Sequence, residues 1–378
     1  MIPFNKPYMT GREVSYLEEV LVGRSWSGDG PFTKRCQKLL ENLLGSGRSF
    51  LTTSCTDALE ACALLCEIEP GDEIILPSYT FVSTANAFAL RGAVLKFVDS
   101  LPEHPNLDHH KVEELISERT RAIVAVHYAG VACEMDVLRD IASRHHLRLV
   151  EDAAQAVAAT FRGKALGTLG DLSAFSFHET KNIAAGEGGC LHVNDPALVG
   201  RAEIIREKGT NRAAFFRGDI DKYGWVDIGS SFLPSELIAA VLLAQLESIQ
   251  AIQERRISIW QSYHARFSAL AQRGDVMLPS IPNYASNNAH MYFLVCDSLE
   301  TRTKLIGRLR QEGIGAVFHY QSLHASKYFA PYHDGRSLPY ADRYTDCLVR
   351  LPLYCELQEE EISHICKIIC DFFGADGR

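Results

Sequence analysis

EIILPSYTFVSTANAFALRGAVLKFVD (73–99) places a strand, a helix and a second strand in one short stretch. EIILP (73–77) and VLKFVD (94–99) are rich in branched aliphatic residues, and FVSTANAFALRG (81–92) between them reads as a helix. Two strands joined by a crossover helix are the unit from which parallel sheets are built. Working outward, the same alternation continues. A helix is expected around 108–118, a strand over RAIVAVHYAG (121–130), a helix over MDVLRDIASRHH (135–146) and a strand over LRLVED (147–152). LSAFSF (172–177) and GCLHV (189–193) read as two more strands close together, and Asp195–Pro196 as a helix start. On the N-terminal side, TGRE (10–13) is a capping box, and LTTSCTDALEACALLCEI (51–68) is a small polar front followed by an apolar helix. The pattern predicts an α/β fold with a mostly parallel central sheet flanked by helices.

Residues 234–270 read as helical throughout, and a join between two domains is expected near 250. That gives a large domain over 1–250 and a smaller C-terminal α/β domain over 251–378. The smaller unit is expected to hold strands at 289–297 and 315–320, with helices at 299–313 and 357–373, in hairpin-like pairing. Between them, GTNRAAFFRGDIDKYGWVDIGSSF (209–232) is too long for an ordinary connection and too aromatic for disorder.

Composition narrows the class. Of 378 residues, 47% are apolar and 22% charged, enough for a sizeable core. A net charge of −9 disfavours nucleic acid as a partner. No apolar run reaches the length of a membrane span and MIPFNKPYMTGREV lacks a signal-peptide layout, so a cytoplasmic location is expected. The eleven cysteines include no CxxC pair. Cys62 with Cys66, and Cys366 with Cys370, fall on single helical faces and read as buried reduced thiols, with no metal expected.

The chemistry gathers at strand ends. VEDAAQ (150–155) closes a strand on Asp152 and then offers Gln155, and SFHETKN (176–182) carries Lys181 out of the next strand. A lysine amine and a carboxylate beyond the carboxyl ends of a parallel sheet are what a pyridoxal phosphate pocket needs. The amine forms the Schiff base, and the carboxylate keeps the pyridine nitrogen protonated. Read singly, Lys181 is a surface charge, Asp152 a helix cap and Gln155 a solvated amide; only the set is informative. TTSCTD (52–57) opens an apolar helix, where the amides of Thr56 and Asp57, near Cys55, would receive the cofactor phosphate. Ser176 is a second phosphate ligand, Phe81 the ring that stacks on the pyridine, and His178 shares a side with Ser176. Arg212, Arg217 and Lys222 in the long loop could grip a diphosphate. Tyr320 and His324, beyond the strand 315–320, could read substrate hydroxyls.

VEDAAQA (150–156), FSFHETKN (175–182) and the GEGG turn (186–189) together resemble the DegT/DnrJ/StrS family of nucleotide-sugar aminotransferases, in the fold-type-I class of pyridoxal phosphate enzymes. The resemblance covers nearly the whole chain. GDGPFTKRC (28–36), PSYTFVSTANAF (77–88), FFRGDIDKYGWVDIGSS (215–231) and AVFHY (316–320) are similar to the branch that makes dTDP-4-amino-4,6-dideoxygalactose. That branch implies L-glutamate as amino donor and a dTDP-4-keto-6-deoxyhexose as acceptor. It also implies a homodimer in which the 209–232 loop reaches the neighbouring subunit. C3 amination, or a sugar destined for a secondary metabolite, is the alternative within the same chemistry. A regulatory homologue that lost catalysis is the alternative outside it, and intact Lys181 and Asp152 argue against it.

Overall fold

The computed structural model describes residues 1–375. Its helices are α1 (Glu13–Gly23), α2 (Pro31–Leu44), α3 (Cys55–Leu65), α4 (Val82–Ala89), α5 (Met135–Arg144), α6 (Val199–Arg206), α7 (Arg212–Arg217), α8 (Glu236–Glu247), α9 (Ile249–Arg273), α10 (Leu299–Gln311), α11 (Pro339–Cys347) and α12 (Glu359–Ala375). The strands are β1 (Arg48–Thr52), β2 (Glu73–Pro77), β3 (Val94–Val98), β4 (Thr120–Val126), β5 (Arg148–Asp152), β6 (Thr160–Phe161), β7 (Lys164–Ala165), β8 (Leu172–Ser176), β9 (Gly189–Val193), β10 (Tyr292–Val295) and β11 (Leu348–Leu351).

Seven strands form one sheet in the order β1-β9-β8-β5-β4-β2-β3. β8, β5, β4, β2 and β3 are mutually parallel, and β9 runs against both β8 and β1. This is the expected α/β architecture, with a mixed, mostly parallel sheet and a smaller C-terminal part. The register sets Val126, Asp152 and Ala174 side by side at the carboxyl edge, one step from Ser176. That alignment brings the candidate side chains to one edge of the sheet.

Both sheet faces are covered. One core packs α2, α5 and α8 through Leu40, Leu138 and Leu243, all essentially buried. The other packs α3 and α4 through Leu59 and Phe88, and extends into Phe293 of β10 and Tyr344 of α11. A third cluster lies between α9, α10 and α12, with Tyr263, Leu309 and Ile365 at its centre. α2 begins after Gly30 without a capping side chain of its own. Instead the buried carboxylate of Glu236, on α8, accepts from the amides of Phe32 at 2.7 Å and Thr33 at 3.0 Å. Those donors would otherwise be left unmet.

Four sequence expectations change. Residues 108–118 form two short 3-10 turns rather than a helix, because Asp108 caps the first of them locally. The strand at 121–130 ends at Val126, and Tyr128–Gly130 turns away from the sheet with Ala129 at φ 58°. The expected long helix 234–270 bends by 64° between α8 and α9. Residues 315–320 are not a strand beyond a single bridge from Val317 to Arg350, and β10 pairs instead with β11. No single helix among the described residues is long and apolar enough to cross a membrane. All eleven cysteines are free thiols.

Candidate active site

Lys181 lies just past β8 in a tight return to β9, not on the strand itself. Its amide donates to His178 O at 2.9 Å, and the turn is closed by Phe177 N on Gly188 O and Glu179 N on Gly186 O. The next residue anchors it. Asn182 is buried, donates to Gln253 Oε1 and Asn288 O at 2.8 Å each, and accepts from His290 Nδ1 at 2.8 Å. With its neighbour fixed at three points, Lys181 has a defined exit direction. The side chain is half-buried, and Nζ has no ion pair or hydrogen bond among the described residues.

Asp152 is buried at the end of β5. Thr84 Oγ1, on α4, donates to its Oδ2 at 2.7 Å, and the Ala154 amide donates to its Oδ1 at 3.1 Å. These bonds hold the carboxylate plane while leaving lone pairs free for a ring N–H. Asp152 ends β5 and Lys181 follows β8, the strand paired beside it, so both leave the same edge of the sheet. Burial first, then Asp152, pushes the Cys55 thiol well above its usual range, and Cys55 is a neutral wall rather than a nucleophile.

The N-terminus of α3 faces the same edge. Ser54 caps it by accepting from the Asp57 amide at 3.1 Å. The Asp57 amide is thereby engaged by the cap in this structure. The amides of Cys55 and Thr56 are the unoccupied donors, and Thr56 Oγ1 is bonded to Ser83 at 2.8 Å. Gly189 makes the approach possible: a Cβ there would sit 2.3 Å from the Ser54 carbonyl and 2.5 Å from the Cys55 amide nitrogen. Ser176 is buried across β8 from Gly189 in register. Gly189→Ala must displace backbone, at a cost of about 1–3 kcal/mol. If α3 moves to relieve it, cofactor affinity falls by about tenfold or more, read by titrating apoprotein with cofactor and following absorbance.

Phe81 is the N-cap of α4, with a ring 54% exposed and 5.7 Å from that of Tyr320. Gln155 accepts from the Ala129 amide at 2.6 Å and donates to the Tyr320 hydroxyl at 3.3 Å. Phe81, Gln155 and Tyr320 thus meet at one place. His178 lies beyond the strand, so strand alternation with Ser176 does not govern it; its ring bonds Thr180 and sits 3.8 Å from Glu187. His324 is turned to Ser78 Oγ at 2.7 Å, Asp342 and His333, a structural role. Arg212 and Arg217 are paired with Glu207, Glu203 and Asp219, and Lys222 is exposed on the same loop, so none is gathered with Lys181 within this chain. Sequence reasoning missed Thr84 and the Asn182–His290 pair. The signal for Thr84 was its place one turn beyond Phe81; nothing local announces His290.

The sequence model of the DegT/DnrJ/EryC1/StrS aminotransferase family matches residues 7–370. The chain belongs to that family. It is 30% identical over 385 residues to the spore coat polysaccharide biosynthesis protein SpsC of Bacillus subtilis, covering 99% of this chain and 98% of that one. It is also 30% identical over 377 residues to the uncharacterized protein MJ1066 of Methanocaldococcus jannaschii, covering 97% and 96%. Among solved structures, the aminotransferase TlmJ of Streptoalloteichus hindustanus superposes with a TM-score of 0.91 at 29% identity, covering all of both chains.

The family's cofactor is pyridoxal phosphate, and the residues present fit it. Lys181 supplies an amine without a partner among the described residues, Asp152 supplies a fixed carboxylate, and α3 opens on the unengaged amides of Cys55 and Thr56, where a phosphate would be received. When bound, the cofactor supplies an electron sink for amino transfer. The protein is a pyridoxal phosphate-dependent aminotransferase.

Proposed function

We propose that the protein moves an amino group from L-glutamate to C4 of a dTDP-linked 4-keto-6-deoxyhexose, giving dTDP-4-amino-4,6-dideoxygalactose. The observation that carries amino transfer is an unpaired Lys181 amine leaving the same sheet edge as the carboxylate that Thr84 holds. Lys181 Nζ is the group free to take a proton from one carbon and return it to another. Asp152 holds positive charge at the ring nitrogen, and Phe81 covers a ring face. A sugar acceptor is supported by SpsC, whose name places it in polysaccharide biosynthesis. It is also supported by the aromatic surface of the 209–232 loop, where Phe216 and Tyr223 are exposed.

The proposal includes a homodimer. Arg48, Arg206, Lys208, Arg212 and Arg217 line a cavity of about 910 Å³ with Asp29 and Phe216. Glu203 and Glu207 line it too and pair with Arg217 and Arg212; the cavity is separate from Lys181 in the single chain, and a twofold neighbour would let the loop complete the opposite site. The test is turnover of dTDP-4-keto-6-deoxyglucose with glutamate, with the product's configuration read by NMR. An axial amine at C4 is expected. An equatorial amine, or one at C3, would move the assignment to another sugar; a protein whose cofactor absorbance does not respond to glutamate would overturn it.

A further inference from the structure

Gln253 and Arg256, three residues apart on the inner face of α9, are both buried. Arg256 is 3% exposed and has no carboxylate partner among the described residues. Its Nε donates to the backbone carbonyl of Ala289 at 3.2 Å and its Nη2 to that of His290 at 2.7 Å. A guanidinium is costly to bury without a counter-charge. What this one does instead is set the planar fork of its donors on two successive peptide units. Gln253 Nε2 donates to the carbonyl just before them, Asn288 O, at 3.1 Å. α9 therefore holds residues 288–290 ahead of β10, where Ala289 is at φ 49°, a conformation that a side chain adopts when its surroundings enforce it.

The held segment reaches the reactive lysine. Both amide hydrogens of Asn182 are used, on Gln253 Oε1 and on Asn288 O at 2.8 Å each, so its Oδ1 is left to accept. His290 Nδ1 meets that oxygen at 2.8 Å and must carry the proton between them, which fixes the tautomer of a ring 3% exposed. Burial, then the charges of Lys181, Arg350 and Arg256, push His290 well below its usual range and keep it neutral. An unbroken run of bonds thus leads from α9 through Arg256, His290 and Asn182 to the peptide that carries Lys181.

We infer that Arg256 and His290 are positioning residues for Lys181, acting through Asn182 to fix the place from which the amine moves a proton between carbons. Neither touches a reacting atom. Arg256 sets the backbone at 289–290, His290 sets the Asn182 side chain, and Asn182 sets the turn. An amine that serves two carbons must reach both, and a misplacement of about 1 Å costs about 100-fold. This assignment rests on the amino-transfer reading above.

The test compares His290→Phe, which keeps a ring and removes the donor, with His290→Gln, which returns an N–H. Both half-reactions of the holoenzyme are followed by stopped-flow absorbance. In the phenylalanine variant the maximal rate is expected to fall about 30-fold or more with donor and acceptor alike. The glutamate and keto-sugar concentrations for half-maximal rate should change less than about threefold, and the glutamine variant should return to within about threefold of wild type. Arg256→Lys keeps the charge and loses the fork, so the same pattern at about tenfold is expected. It carries the test if the phenylalanine variant fails to fold. Independently of turnover, the visible circular dichroism of the lysine-linked cofactor should weaken in His290→Phe and recover in His290→Gln. A folded phenylalanine variant with the wild-type rate and dichroism, a glutamine variant no better than it, or a loss confined to one half-reaction overturns the assignment. If the wild type responds to no amino donor, the amino-transfer reading fails, and the dichroism of the variants decides by itself whether these residues position Lys181.

Discussion

Lys181→Ala is expected to abolish the visible absorbance of the lysine-linked cofactor and to lower turnover by about four orders of magnitude. The variant removes two functions at once. It deletes the amine that holds the cofactor covalently, and it deletes the base that moves a proton between carbons, a role worth about 10²–10⁴ by itself. Lys181 Nζ has no bonding partner among the described residues, so its loss leaves none of their buried groups unsatisfied. The melting temperature of the apoprotein should therefore change little, and lost activity can be assigned to chemistry. An unchanged spectrum in the variant would sink the assignment of Lys181.

Asp152→Asn should give the second largest effect, about 10²–10⁴ in rate. The substitution keeps size and one oxygen, so the Thr84 bond can survive. What it removes is the negative charge opposite the ring nitrogen. Breaking a buried charge pair costs about 3–5 kcal/mol, which is about that range in rate. The loss should fall on kcat/KM for every donor and acceptor alike, because both half-reactions use the same ring. A variant within about threefold of wild type would show that another group keeps the nitrogen charged.

The residues legible in the sequence are those that hang from strand ends. Asp152, Ser176 and Lys181 each follow an apolar strand, and a parallel sheet brings such ends to one edge whatever else the chain does. What escaped were side chains brought in from remote segments. Thr84 reaches Asp152 from α4, and His290 reaches Asn182 across more than a hundred residues; no local period encodes either. The misreading at 315–320 has a physical reason. AVFHY has strand-like composition, yet its backbone is met by side chains: His319 O accepts from the hydroxyls of Tyr79 and Tyr128, and Tyr320 N donates to Tyr79 at 2.8 Å. In the long loop the cations were read without their acidic partners. Its arginines are neutralised by Asp219 within the loop and by Glu203 and Glu207 in and just after α6.

Asn288 joins parts of the chain that the alternating pattern treats as separate. Its side-chain amide donates to the backbone of Gln155 at 2.7 Å and of Val157 at 3.0 Å, while its carbonyl receives Asn182 and Gln253. The apolar core on that face likewise runs without a break from Phe50 to Leu348. Pulling the C-terminal part away would strip these buried amides of their partners and wet one continuous core. Removing either part is therefore expected to destabilise the other, and melting followed by calorimetry is expected to show one transition rather than two.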